Sequence, residues 1–480
     1  MTQLLTKSKY LAGLECSRHL WSLLHDKEKI PEPTIAEKFL MDQGIAIGKL
    51  ATQLFSNGIN LTNLSFYDNI AQSKKAIKEK RPIFEAGFIF DNCFSRADIL
   101  MPTDDVWDII EVKASTSLKE ANIHDVSFQK YCYEGAGLKI RNCYILHLNK
   151  DYIRNGQINM KELFTQTDIT LEVDALMIDI QDRIESLVKV INLDNPPKIH
   201  TDHKCNGPNN CPLKDCWDFL PEHHVFQLYR IGKKGLELFE NGVQAIRDIP
   251  EEFILTDKQN IQRTCDIEGK VHINKKEIKE FIDVLKYPLH FLDFETFSTA
   301  VPKFNGLRPY SHVPFQFSLH IIKEQGHKPE HYEFLYKGNG DPRKEFAGAL
   351  KSVLSNTGSI ITYSQSFESS RLKDLAEAFP EHKQWVKELI PRLVDLLLPF
   401  RNFSYYNPVQ KGSASLKKVL PAITGKGYEG MEIADGGTAS VEFFNMAYNG
   451  GKDVRKALLK YCELDTLAEV MIVDKLRELI

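Results

Sequence analysis

Residues 290–296 read HFLDFET. An apolar run from Leu289 to Leu292 leads into Asp293, Phe294 and Glu295. Side-chain direction in a strand repeats every second residue, so Asp293 and Glu295 point to one face. Two carboxylates on one face near a strand end repel each other unless a cation lies between them. Oxygen-rich sites of this kind suit Mg²⁺ or Mn²⁺. For an isolated D-x-E the bland alternative is a solvated strand face, and the rest of the chain decides between the two.

Downstream, residues 315–322 (FQFSLHII) and 332–336 (YEFLY) read as strands, and 341–353 as a helix. Residues 359–363 (SIITY) form a buried strand, followed at once by SQSFESSRL, in which Glu368 opens a helix. Residues 454–480 read as one helix, with Tyr461 and Asp465 spaced i, i+4 and therefore on one face. The set is a D-x-E on a first strand, an acid at a strand-to-helix turn, and Y-x-x-x-D on a late helix. In that order it resembles the DnaQ-like (DEDD) 3′→5′ exonucleases. The resemblance implies a ribonuclease-H-like fold over 285–480. It also implies Asp293, Glu295, Glu368 and Asp465 as ligands of two divalent ions, and Tyr461 orienting the attacking water. The family usually has Asp where this chain has Glu368.

Towards the N-terminus, residues 7–25, 35–55 and 70–80 read as helices, the last exposed. Strands follow at 82–91 (PIFEAGFIFD, with Glu85), 93–101 (CFSRADILM, with Asp98) and 107–113 (WDIIEVK, with Glu111 and Lys113). A helix over 123–137 carries Gln129 and Tyr133 on one face, with Tyr131 as a competitor for the tyrosine role, and 141–148 is a further strand. Asp98 and Glu111 are placed to hold a divalent cation from neighbouring strands. Lys113, two residues beyond Glu111, would set an ammonium beside the attacked phosphate or a water, which is metal-assisted phosphodiester hydrolysis. This stretch resembles the PD-(D/E)xK nucleases, in the RecB-like branch that includes CRISPR-associated exonucleases. The resemblance implies a site of Glu85, Asp98, Glu111, Lys113, Gln129 and Tyr133. That branch often has a His in its first helical motif, and residues 44–52 hold none.

Of the nine cysteines, Cys205, Cys211 and Cys216 cluster in 203–217 (HKCNGPNNCPLKDCW). A tight thiolate loop with no second pair nearby lacks a fourth ligand. The RecB-like resemblance supplies it from Cys16, implying a [4Fe–4S] cluster held by Cys16, Cys205, Cys211 and Cys216. Zinc on the same ligands, or His203 as the fourth, are the alternatives.

The expected fold class is α/β. Residues 1–222 form a RecB-like restriction-endonuclease fold with an iron–sulfur clamp, 223–284 a helical connector, and 285–480 a ribonuclease-H-like DnaQ exonuclease fold. The helical connector comprises a helical pair over 226–253 and a polar helical stretch over 254–284. The arrangement resembles a bacterial family of uncharacterised proteins that fuse these two nucleases.

The net charge is −4, so any nucleic-acid surface must be local. The candidates are Lys74, Lys75, Lys78, Lys80 and Arg81, and the stretch 401–418, where Phe403, Tyr405 and Tyr406 stand among basic residues and suit stacking on single-stranded bases. There is no apolar run of about 18 residues, so no membrane span is expected. The N-terminus lacks an apolar core of signal-peptide type, and a cytoplasmic location is expected. The expected function is a metal-dependent deoxyribonuclease with two sites, acting on single-stranded DNA or DNA ends. The alternatives are a nucleic-acid-binding scaffold with one or both sites decayed, and an RNA-directed exonuclease.

Overall fold

A computed structural model describes residues 3–198, 205, 207–213 and 215–480. The chain divides into two compact units, Met1–Asp218 with Thr299–Ser311, and Phe219–Ser298 with His312–Ile480.

The first unit is built on a seven-stranded mixed sheet. Three consecutive strands, Ile83–Phe90, Cys93–Thr103 and Val106–Lys113, pair antiparallel as a meander. Helix Glu120–Gly135 then crosses over to strand Ile140–Leu148, which lies parallel to Val106–Lys113. Strand Phe164–Asp168 closes one edge and Ile59–Asn60 the other, while Leu5–Thr6 adds to the start of Cys93–Thr103. The crossover helix buries Val126, Phe128, Cys132 and Tyr133 against sheet residues such as Phe88, Ala97 and Ile109.

The second unit has a five-stranded sheet. Strands Leu289–Phe297, Val313–Ile322 and Glu330–Leu335 form an antiparallel meander. Ile360–Thr362 and Leu393–Asp395 continue the sheet on its other side, parallel to the first strand. Both faces are covered. Leu292 and Phe294 pack with Phe346, Leu350 and Leu372 on one face. Leu289 and Phe291 pack on the other with Ile472, Val473 and Leu476 of helix Arg455–Glu478. Asp293 and Glu295 continue the face of Leu289 and Phe291. Their strand therefore turns from apolar to acidic beneath the one helix that carries Tyr461 and Asp465.

Several expectations need correction. Residues 7–25 are two helices, Lys7–Glu15 and Ser17–His25, because Cys16 is extended and its Sγ accepts from His19 N at 3.4 Å as a cap. Residues 70–80 are the end of helix Phe66–Ala76 and a 3₁₀ turn rather than one helix; the stretch is largely exposed, with Ser73 and Ala76 turned inward. The helical pair over 226–253 is one helix, Lys233–Glu240, flanked by 3₁₀ turns. Within 254–284, strand His272–Ile273 separates two helices and pairs with Tyr405–Tyr406. That pairing buries Phe403, Tyr405 and Tyr406, so these rings are core residues and present no stacking face for bases. Lys74, Lys75, Lys78, Lys80 and Arg81 are exposed. Among the described residues no helix is long and apolar enough to cross a membrane.

Candidate functional site

The second unit gathers its acids where the first strand ends. Asp293, Glu295 and Asp465 each offer an oxygen within 4.8 Å of the others. The parallel strand Ile360–Thr362 ends beside them and leads into helix Ser366–Ala378, whose first turn carries Glu368. The carboxyl ends of parallel strands are where α/β sheets place ligands. Glu368 is only 2% exposed, and its Oε2 is buried without a hydrogen-bond partner.

A fifth acid was missed by sequence reasoning. Glu469, one turn beyond Asp465, is 1% exposed, and its Oε2 also has no partner. The signal was present: Tyr461, Asp465 and Glu469 repeat at i, i+4, i+8 on one helical face.

Burial raises all five acids above the usual carboxylate range, and mutual repulsion adds to it for Asp293, Glu295, Glu368 and Glu469. Burial lifts Asp465 to about 6, against the opposing pull of the Tyr428 and Tyr461 hydroxyls and Lys417. Tyr428 donates to Asp465 Oδ1 at 2.5 Å. The Lys417 ammonium lies 5.7 Å from the Tyr428 ring and 5.4 Å from that of Tyr461, and donates to the Ala434 carbonyl. Cys462 Sγ lies 3.6 Å from Asp293 Oδ2. Neither Tyr428 nor Lys417 belongs to a motif, and only the fold brings them here.

In the first unit, Glu111 is the hub. Lys7 and Lys113 both donate to its Oε1 at 2.7 Å, and Gln129 Nε2 donates to its Oε2 at 2.8 Å. Lys113 also donates to Asp125 Oδ2 at 2.6 Å, and Gln129 to Asp125 Oδ1 at 3.0 Å. Lys7 and Asp125 were not anticipated. Lys7 follows the two-residue strand that docks at Cys93, and Asp125 precedes Gln129 by one helical turn. Asp98 accepts from Val112 N at 2.7 Å, and burial together with the charge of Glu111 lifts it to about 7.

Glu85 and Tyr133 act on the strands around this hub. Glu85 takes a left-handed φ of 61° inside its strand and pairs with Arg96 at 3.3 Å. A non-glycine residue there is strained. Next to it the Tyr133 hydroxyl bridges the strand pair, accepting from Ala97 N at 2.5 Å and donating to the Ala86 carbonyl at 2.7 Å. Tyr133 thus braces the backbone beside Glu85 and Asp98 and does not face the hub. Gln129, one turn earlier, does. Tyr131 lies 3.4 Å from Asp91 at the surface.

Cys216 lies against Cys211, and its electrostatic neighbours include Arg18 and Cys16. Burial, then Cys211, pushes its thiol up to about 12. The structure therefore brings Cys16 from the N-terminus to the late cysteines. Cys205 is partly buried. His203 lies outside the described residues.

Residues 290–415 match a family described as a domain of unknown function (DUF2779). The match takes in Asp293, Glu295 and Glu368, and ends before Tyr461 and Asp465. An uncharacterised protein of Mycoplasma genitalium, MG366, is 27% identical over 219 residues, which is 41% of this chain and 33% of that protein. The aligned part thus spans about a third of that relative.

Proposed function

We propose that the protein is a metal-dependent nuclease that hydrolyses phosphodiester bonds of DNA, single-stranded or at ends. The observation that carries this reading is the meeting of Asp293, Glu295 and Asp465 within 4.8 Å, beside buried Glu368 and Glu469 whose Oε2 atoms have no partner. Five buried acids, with the Lys417 ammonium acting on Glu295 and Asp465, cannot all ionise unless further positive charge joins them. An oxygen-only donor set fits Mg²⁺ or Mn²⁺.

The strand order 3-2-1-4-5 in the second unit, with the late helix over the acidic face, supports a ribonuclease-H-like, DnaQ-like reading. The three-strand meander, crossover helix and parallel strand of the first unit support the RecB-like reading.

Asp293, Glu295, Glu368 and Asp465 would hold the ions, with Glu469 as an added donor. Bound there, the ions would activate a water and neutralise charge on the leaving oxygen. Tyr428 fixes the Asp465 carboxylate. Tyr461 orients the attacking water. Lys417, beside both tyrosine rings, draws the phosphate into place. The cysteines fit a [4Fe–4S] cluster that ties the N-terminus to the end of the same unit, with zinc as the alternative.

A second reading applies to the first unit alone: a nucleic-acid-binding scaffold with a decayed centre. Both oxygens of Glu111 being engaged by Lys7, Lys113 and Gln129 favours it.

The test is hydrolysis of end-labelled single- and double-stranded DNA and of RNA, with Mg²⁺ or Mn²⁺. It uses wild type, Glu111→Ala, Asp293→Ala and the double variant. Two catalytic centres predict that each single variant loses a separable part of the activity. An unaffected Glu111→Ala supports the scaffold reading of the first unit. Wild type no faster than the double variant on every substrate overturns the nuclease reading, and RNA as the preferred substrate overturns DNA.

A further inference from the structure

Strands Val313–Ile322 and Glu330–Leu335 set His320 directly opposite His331. Their rings stack with centroids 4.4 Å apart. Helix Arg455–Glu478 brings in Glu463, whose Oε1 lies 3.9 Å from His331 Nδ1. One ligand atom from each of the three residues lies within 4.8 Å of the other two.

The hydrogen bonds around the rings decide where the protons sit. His320 Nδ1 is 2.8 Å from Thr466 Oγ1, and His331 Nε2 is 2.9 Å from Ser318 Oγ. The two hydroxyls are 2.7 Å apart, and Thr466 Oγ1 donates to the Glu463 carbonyl at 3.2 Å. One proton assignment satisfies every contact at once. His331 Nε2 donates to Ser318, Ser318 donates to Thr466, and His320 Nδ1 also donates to Thr466. His331 Nδ1 and His320 Nε2 then keep their lone pairs. A histidine whose second nitrogen donates to a fixed partner is the usual arrangement of a metal ligand. His320 is buried, whereas the His331 side chain is 23% and the Glu463 side chain 47% exposed, so an ion has a way in.

We propose that His320, His331 and Glu463 form a transition-metal site, separate from the carboxylate centre, that takes Zn²⁺ with water completing its shell. Two imidazoles and one carboxylate suit zinc, and disfavour Mg²⁺, which prefers oxygen alone. Exposed Glu463 has room to close to the roughly 2.0–2.2 Å of a zinc–oxygen bond. The site has a structural consequence. Thr466 follows Asp465 on the helix, and Ser318 pairs with Asp293 across the sheet. The ion therefore clamps the outer strand to the helix that supplies Asp465.

The test is Co²⁺ titration of the metal-free protein, followed by visible absorption, with excess Mg²⁺ occupying the carboxylate centre and with Cys211→Ser and Cys216→Ser in every protein compared, so that the cysteine site takes no cobalt. Wild type is compared with His331→Gln, Glu463→Gln and Asp293→Asn. The expected result is a four-coordinate cobalt spectrum that Zn²⁺ abolishes. Its affinity falls about tenfold or more in His331→Gln and in Glu463→Gln, and holds in Asp293→Asn. Circular dichroism of the metal-free variants checks folding, and Glu463→Gln, at an exposed position, guards against a folding artefact. Equal cobalt affinity and spectrum in wild type, His331→Gln and Glu463→Gln overturns the site. So does loss confined to Asp293→Asn, which places the cobalt at the carboxylate centre.

Discussion

Lys7 and Glu111 stand 104 residues apart in the chain, and the lysine ammonium donates to the carboxylate at 2.7 Å. Burial alone would raise the Glu111 carboxyl, but Lys7 and Lys113 hold it well below the usual range. Lys7→Met removes one of two ammoniums while Lys113 and Gln129 remain. The loss should fall short of the roughly 3–5 kcal/mol for a buried pair broken outright, and about 1–2 kcal/mol is expected. Urea unfolding at neutral pH measures it. Glu111 has a depressed carboxyl, so its contribution is present above the ordinary carboxylate range and fades on acidification. The gap between wild type and Lys7→Met should therefore narrow towards low pH.

Glu469→Gln keeps the side-chain shape and removes the cost of protonating or charging a buried carboxyl among like neighbours. Burial, then Asp293, Glu368 and Asp465, pushes this carboxyl well up. The metal-free variant should be more stable than wild type by about 1 kcal/mol. Its Mg²⁺-dependent hydrolysis should fall at least about tenfold, in line with the loss of a ligand or its support. Unchanged activity together with a raised Tm would make Glu469 a bystander.

Asp465 gives a pH signature. Its folded value of about 6 exceeds the ordinary 3.8. Folded protein then binds the proton more tightly than unfolded, so metal-free stability rises as pH falls from about 6 towards 4. The cost of the charged form is full above pH 6. Comparing wild type with Asp465→Asn reads this term together with its coupling to Asp293, Glu295 and Glu469, at roughly 2 kcal/mol between pH 8 and pH 4. Saturating Mg²⁺ should stabilise wild type at pH 8 and have little effect at pH 4.5, and calorimetry with and without chelator reads both.

Cys16→Ser separates two roles of one residue. Serine is a good N-cap, so helix Ser17–His25 should survive. If Cys16 also holds a cluster, wild type purified without oxygen is brown and iron-rich, whereas the variant loses most of its iron with its far-ultraviolet spectrum unchanged. Colourless, iron-free wild type with one zinc would replace the cluster with a zinc site.

Much of this was legible because strand and helix periods carry side-chain direction. Asp293 with Glu295, and Tyr461 with Asp465, were placed on shared faces by spacing alone, and the structure brings the two pairs under one roof. Glu469 followed the same period but lay outside the motif. Lys7, Asp125, Tyr428 and Lys417 reach their sites through tertiary packing that no local pattern encodes. Tyr133 shows the limit of facing arguments. It shares a helix face with Gln129, yet its hydroxyl is taken up by the Ala97 amide and the Ala86 carbonyl. Phe403, Tyr405 and Tyr406 read as a stacking surface from composition, but a two-residue strand pairing from distant His272–Ile273 buries them.

The most direct measurement is single-turnover hydrolysis of 3′-end-labelled single-stranded DNA by wild type and Asp293→Asn, with Mg²⁺ or Mn²⁺ and with chelator. The account predicts release of labelled nucleotides by wild type only when metal is present. It also predicts that Asp293→Asn loses at least about a hundredfold in rate, as expected when a charged group of the reacting centre is removed. Equal rates for the two proteins, or wild-type hydrolysis that survives the chelator, would contradict it.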